Sequence, residues 1–98
     1  MFALKWARPA RESFKSLKAD SSKRKQYKAV KNALRKLAQD PFYPGLQSHP
    51  FNSLNGPNRE KVFESYAENK APGAYRIFWY YESSEQGVIM VFLITPHP

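Results

Sequence analysis

Hydrophobic and polar positions alternate over Phe2-Ala-Leu-Lys-Trp6. Phe2, Leu4 and Trp6 fall on one side and Ala3 and Lys5 on the other, the pattern of a short half-buried strand. At Pro9, a residue suited to the first turn of a helix, the period lengthens. Ala10, Phe14 and Leu17 then form one apolar stripe, which predicts a helix over Arg8–Ala19. Asp20, Ser21 and Ser22 supply cap residues for a second helix. In it Tyr27, Val30, Leu34 and Leu37 make the apolar stripe, and Asp40-Pro41 stops it just past Gln39. A connection this short predicts an antiparallel helix hairpin.

Residues 41–59 contain Pro41, Pro44, Pro50 and Pro57 with Gly45 and Gly56, which predicts a loop. Phe42, Tyr43, Leu46, Phe51 and Leu54 are the residues expected to pin it to the body. Lys61–Tyr66 reads as a strand, 69–73 as a turn, and Tyr75–Tyr81 and 88–94 as a hairpin closed by the polar turn 82–86. On Tyr75–Tyr81, period two places Tyr75, Ile77, Trp79 and Tyr81 on the face that meets the helices. Arg76, Phe78 and Tyr80 take the other face. The last strand is apolar on both sides and is expected to be central. The order β-α-α-β-β-β predicts an α+β domain, with the helix hairpin packed on one face of a mainly antiparallel sheet.

Ninety-eight residues suit one domain, spanning 1–98, and the 42% hydrophobic and 15% aromatic content suits a packed globule. There is no cysteine, so neither a disulfide framework nor a thiolate metal site is expected. The apolar run 88–94 is too short to cross a bilayer, and no signal-peptide pattern is visible, so the expectation is a soluble, cytoplasmic protein without a membrane partner. The net charge of +8 is concentrated: residues 1–40 hold twelve of the sixteen Lys and Arg against three acids. Such a field favours encounter with polyanions, namely RNA, DNA or an acidic protein; a solvated lysine-rich helix face is the other reading.

Arg76 stands out because a guanidinium stays charged in a protein interior. Set among aromatics, it must either meet a carboxylate or face a groove that an anion can enter. No phosphate-binding loop, dinucleotide glycine pattern, metal-ligand cluster or Ser-His-Asp signature is present, so no cofactor or metal is expected.

The order of elements, together with Pro44-Gly45-Leu46, Leu54-Asn55-Gly56, Val62-Phe63-Glu64, Tyr75-Arg76-Ile77 and the ending Ile94-Thr95-Pro96-His97, resembles the RelE/ParE superfamily of toxins from bacterial type II toxin–antitoxin pairs. The resemblance covers nearly the whole chain. It implies a RelE-like fold neutralised by an antitoxin, here expected to be acidic, and one of two activities. RelE-like members cut mRNA on the ribosome without a metal, whereas ParE-like members inhibit DNA gyrase without nuclease chemistry. An inactive, toxin-like module that only binds its antitoxin is a third reading.

Metal-free RNA cleavage needs a base for the 2′-hydroxyl proton, a cation for the crowded phosphate and an acid for the leaving 5′ oxygen. By resemblance Arg76 is the candidate phosphate-holding cation, with a structural pair to Glu64 as the competing role. His97 matches a terminal catalytic histidine and is the candidate acid. His49, where some members carry a loop carboxylate, is a candidate base; Glu64 is either a base or the counter-ion of Arg76. Arg59, Lys61 and the helix cations Lys28, Lys31 and Arg35 are candidate RNA contacts. Tyr80 is a candidate base-stacking ring, whereas Phe78 reads better as core.

Overall fold

The stripes of both helices converge on one side of a single sheet. In a computed structural model, which describes residues 1–69 and 72–97, the order is β1 (Ala3–Trp6), α1 (Arg8–Ala19), α2 (Arg24–Gln39), β2 (His49–Asn55), β3 (Lys61–Tyr66), β4 (Tyr75–Tyr81) and β5 (Val88–Pro96). The expected 69–73 turn falls partly outside these residues, as does Pro98. The strands stand in the order β1-β5-β4-β3-β2. Only the β1–β5 pair is parallel, so the α+β class and the mainly antiparallel sheet are as expected.

Ala10 and Leu17 of α1 and Val30, Ala33, Leu34 and Leu37 of α2 bury against Ile77, Trp79, Ile89, Val91 and Ile94. This is the main core, and it uses the face of β4 that the alternation assigned to the helices. The link between the helices is a 3-10 turn, Ser21–Lys23, capped by Asp20, whose carboxylate accepts from the Ser22 amide at 3.0 Å and its hydroxyl at 2.6 Å. At the end of α2 the Asp40 carboxylate accepts from the Phe42 amide, turning the chain at Pro41. Gly87 closes the β4–β5 turn with φ +74°, a conformation that disfavours side chains larger than hydrogen.

The opposite face carries a second apolar cluster. Val62, Phe78 and Tyr80 are buried there, with Phe51, Leu54, Met90, Phe92 and Leu93 packed around them. A bulge makes this possible: Phe78 pairs with Leu93 and Trp79 with Val91, so Phe92 is extra and both it and Leu93 join the outer cluster.

The loop expected over 41–59 contains a further strand. β2 pairs antiparallel with β3 along the sheet's edge, with an irregularity between Pro50 and Asn55. Proline lacks the ladder donor and is tolerated at such an edge, which is why Pro50 obscured the strand. Leu46, Phe51 and Leu54 pin the segment to the body, and Phe42, though half exposed, sets its ring edge-on to Phe63 and Trp79 at 5.7 and 6.1 Å; Tyr43 is exposed. A hydrogen-bond chain does the rest. Trp79 Nε1 donates to Ser65 Oγ at 2.8 Å, the Ser65 and Ser48 hydroxyls meet at 2.6 Å, and Ser48 donates to the Pro41 carbonyl at 2.6 Å. Among the described residues no helix is long and apolar enough to cross a membrane.

Candidate functional site

Strand register assembles one polar group on the sheet face away from the helices. His49 is paired with Glu64 across β2 and β3, and Tyr66 with Arg76 across β3 and β4. Directly paired residues share a face, and residues two apart on a strand do so as well. His49, Glu64, Tyr66 and Arg76 therefore come together although 27 positions separate the first from the last.

His49 is the exposed member, with 42% of its side chain accessible. Its Nε2 lies 2.8 Å from Glu64 Oε1 and its Nδ1 lies 2.7 Å from the Gln47 carbonyl oxygen. A carbonyl only accepts, so Nδ1 carries a proton. The Nε2 contact then needs a second proton, on the ring or on the carboxyl. The pair is thus a proton-sharing dyad with its imidazole at the surface and its carboxyl 4% exposed.

Behind Glu64 stands Arg76, 2% exposed. Its Nη1 donates to the carbonyls of Asn69 (2.9 Å), Ala74 (3.2 Å) and Tyr75 (3.3 Å). Its Nε is 3.9 Å from Glu64 Oε2, and the guanidinium carbon lies 4.1 Å from the centre of the Tyr66 ring, a cation–π contact. Arg76 occupies the face expected from strand period, but it is roofed by Tyr66 rather than open to solvent. Of the two choices for its charge, the carboxylate neighbour is the one present.

His97 lies beyond the end of β5, exposed, and its backbone is paired with the start of β4: its amide donates to the Ala74 carbonyl and its carbonyl accepts from Gly73, both at 2.8 Å. The Ala74 oxygen is thus shared by His97 and Arg76. The main chain of the terminal histidine is tied to the same anchor as the arginine.

The other candidates are dispersed. Tyr80 is 4% exposed in the outer cluster, edge-on to Phe92 at 5.7 Å, and burial pushes its hydroxyl pKa up. Its ring faces are covered by protein, so it is not available to stack on a base. Phe78 is core, as expected. Lys61 is exposed but, three residues before Glu64, belongs to the other side of the β3 pleat; Arg59 sits exposed in the β2–β3 turn with φ 65°. Lys28, Lys31 and Arg35 are exposed on α2, across the sheet from the dyad. Tyr66 was missed by sequence reasoning. Its signal, an aromatic two residues from Glu64, acquires meaning only from the β3–β4 register.

The fold and site together define an α+β domain that carries a buried Glu–Arg pair with a surface histidine on its helix-free face. Compared with known proteins, the chain matches no family model and no curated protein.

Proposed function

We propose that this protein is a RelE/ParE-like toxin that inhibits translation as a metal-independent, ribosome-associated mRNA endoribonuclease, restrained in the cytoplasm by an acidic antitoxin. The observation that carries the reading is the His49–Glu64 dyad: an exposed imidazole at 2.8 Å from a buried carboxyl, with a fixed cation 3.9 Å behind it. Exposure lets the ring reach a substrate, and the buried partner orients it.

In this mechanism the proton of the His49–Glu64 contact stays on Glu64 as the ring turns outward, and the bared Nε2 takes the proton of the RNA 2′-hydroxyl. The 2′ oxygen attacks the phosphorus, and the bond to the 5′ oxygen breaks as His97 protonates it. The products are a 2′,3′-cyclic phosphate and a 5′-hydroxyl. Glu64 is a positioning residue, because its carboxyl lies behind the ring. Arg76 stabilises the phosphate's charge from behind Tyr66 rather than by the direct grip that the resemblance implies.

That burial also favours a second reading, a non-enzymatic gyrase inhibitor of the ParE kind, in which Arg76 serves only to lock β4 to its neighbours. Induced expression with parallel measurement of protein synthesis, DNA synthesis and transcript 5′ ends separates the two. New 5′ ends with a halt in protein synthesis support the ribonuclease. Intact transcripts with arrested DNA synthesis overturn it in favour of gyrase.

A further inference from the structure

A groove on the helix side, far from the dyad in the sheet order, combines ring faces with cations. Trp6 at the end of β1, Phe14 of α1 and Tyr27 of α2 form its apolar floor, with Arg11, Lys15 and Lys18 along one wall and a volume of about 290 Å³. The rings form a ladder: Trp6–Phe14 centroids are 5.3 Å apart at 33°, and Phe14–Tyr27 centroids 5.2 Å apart at 32°. All three are half-buried, whereas the three cations are exposed. Arg11 Nη2 reaches the Trp6 carbonyl at 3.3 Å, which draws that guanidinium to the rim.

The wall cations fall at i, i+4 and i+7, so they share one flank of α1. On α2, Lys31 lies one turn beyond Tyr27 and extends the positive track. The groove's lining holds no carboxylate among the described residues. α2 contains no Asp or Glu, and the acids Glu12 and Asp20 line a separate groove with Tyr75, Ile94 and Thr95.

We infer that this groove binds single-stranded RNA, stacking a base against the Trp6–Phe14–Tyr27 ladder while Arg11, Lys15 and Lys18 hold the adjoining phosphates. Flat rings and regularly spaced cations together match a nucleotide chain, which offers a π-face and an anion at each step. An acidic peptide would use the cations but has no general need of the ladder. The binding is independent of cleavage at His49, and it gives the protein a second hold on the RNA.

The test is binding of a labelled 2′-O-methylated oligouridine, which has no free 2′-hydroxyl and so reports binding without cutting. The wild-type protein should bind it with quenching of Trp6 fluorescence; the other tryptophan, Trp79, is fully buried and silent to the ligand. The double variant Lys15→Glu/Lys18→Glu changes only exposed side chains. It should weaken binding by about tenfold or more and flatten the salt dependence by about 0.7 in log–log slope for each phosphate that the protein no longer neutralises. Tyr27→Ala should weaken binding about tenfold with the salt slope unchanged, and Tyr27→Phe, which keeps the ring and guards against misfolding, should bind as the wild type does. Binding that ignores both the charge reversal and the removal of the ring overturns the inference. So does weakening on charge reversal alone with equal competition by polyglutamate and no quenching, which identifies an acidic polypeptide as the occupant.

Discussion

Arg76 Nε faces Glu64 Oε2 at 3.9 Å, and among the described residues neither of these buried atoms has a hydrogen-bond partner. The other side of each group is committed: Glu64 Oε1 to His49, and Arg76 Nη1 to three backbone carbonyls. The ion pair is held apart by those stronger interactions. Glu64 is therefore hydrogen-bonded to His49 and held off Arg76, and its removal would strand Arg76.

Glu64→Gln should destabilise the fold by about 3–5 kcal/mol, because removing one partner leaves a charge buried without its counter-ion. Urea unfolding measures this. Pairing Glu64→Gln with Arg76→Met should cost less than the sum of the single changes, since residues that touch are not additive. Strict additivity would mean that the 3.9 Å approach carries no coupling.

His49→Ala should behave differently. The side chain is 42% exposed, so folding should survive, while the cleavage proposed above should fall by about 10²–10⁴-fold. Transcript 5′-end mapping, alongside a growth assay, provides the readout. Undiminished arrest by the alanine variant would remove His49 from the chemistry.

Ser65→Ala breaks the chain from Trp79 to Pro41 at its middle. The Trp79 N–H, fully buried, loses its acceptor, for an expected cost of about 1–3 kcal/mol. Ser48→Ala should be milder globally but should speed hydrogen exchange over residues 42–48, whose anchor is the Ser48–Pro41 bond. Equal exchange in both proteins would show that apolar packing alone holds this segment.

The Asp20 carboxyl is held below its usual range first by the Ser22 hydroxyl and then by the Ser22 amide. A depressed folded-state pKa means that this contribution is fully present above the unfolded pKa and is lost as pH falls through the folded one. The melting temperature of the wild type should therefore fall more steeply than that of Asp20→Asn as the pH is lowered from 6 through the acid range below about 3.9. Parallel curves would show that the cap does not titrate with folding.

Of the candidate site, His49, Glu64 and Arg76 were legible as residues and Glu64 as a neighbour of Arg76, but the joining of His49 and Tyr66 to that pair was not. Tyr80 shows the limit from the other side. Alternation put it on the face of Arg76, yet the Phe92 bulge and the folding over of Phe51 and Leu54 make its surroundings core. β2 escaped notice because Pro50 and its polar neighbours suit a loop as well as an edge strand.

The sequence by itself determined the two helix stripes, the face on which each β4 residue lies and the placement of all the excess positive charge on the first forty residues. These are properties of local period and composition, and they need no partner. The tertiary structure alone decided that Arg76 is roofed by Tyr66, that Glu64 lies between Arg76 and His49, and that Trp6, Phe14 and Tyr27 share a groove. Those relationships depend on the register between strands and on helix-to-sheet packing, which bring together residues far apart in the chain; burial and pairing of a charge follow from that placement and not from the residues on either side of it.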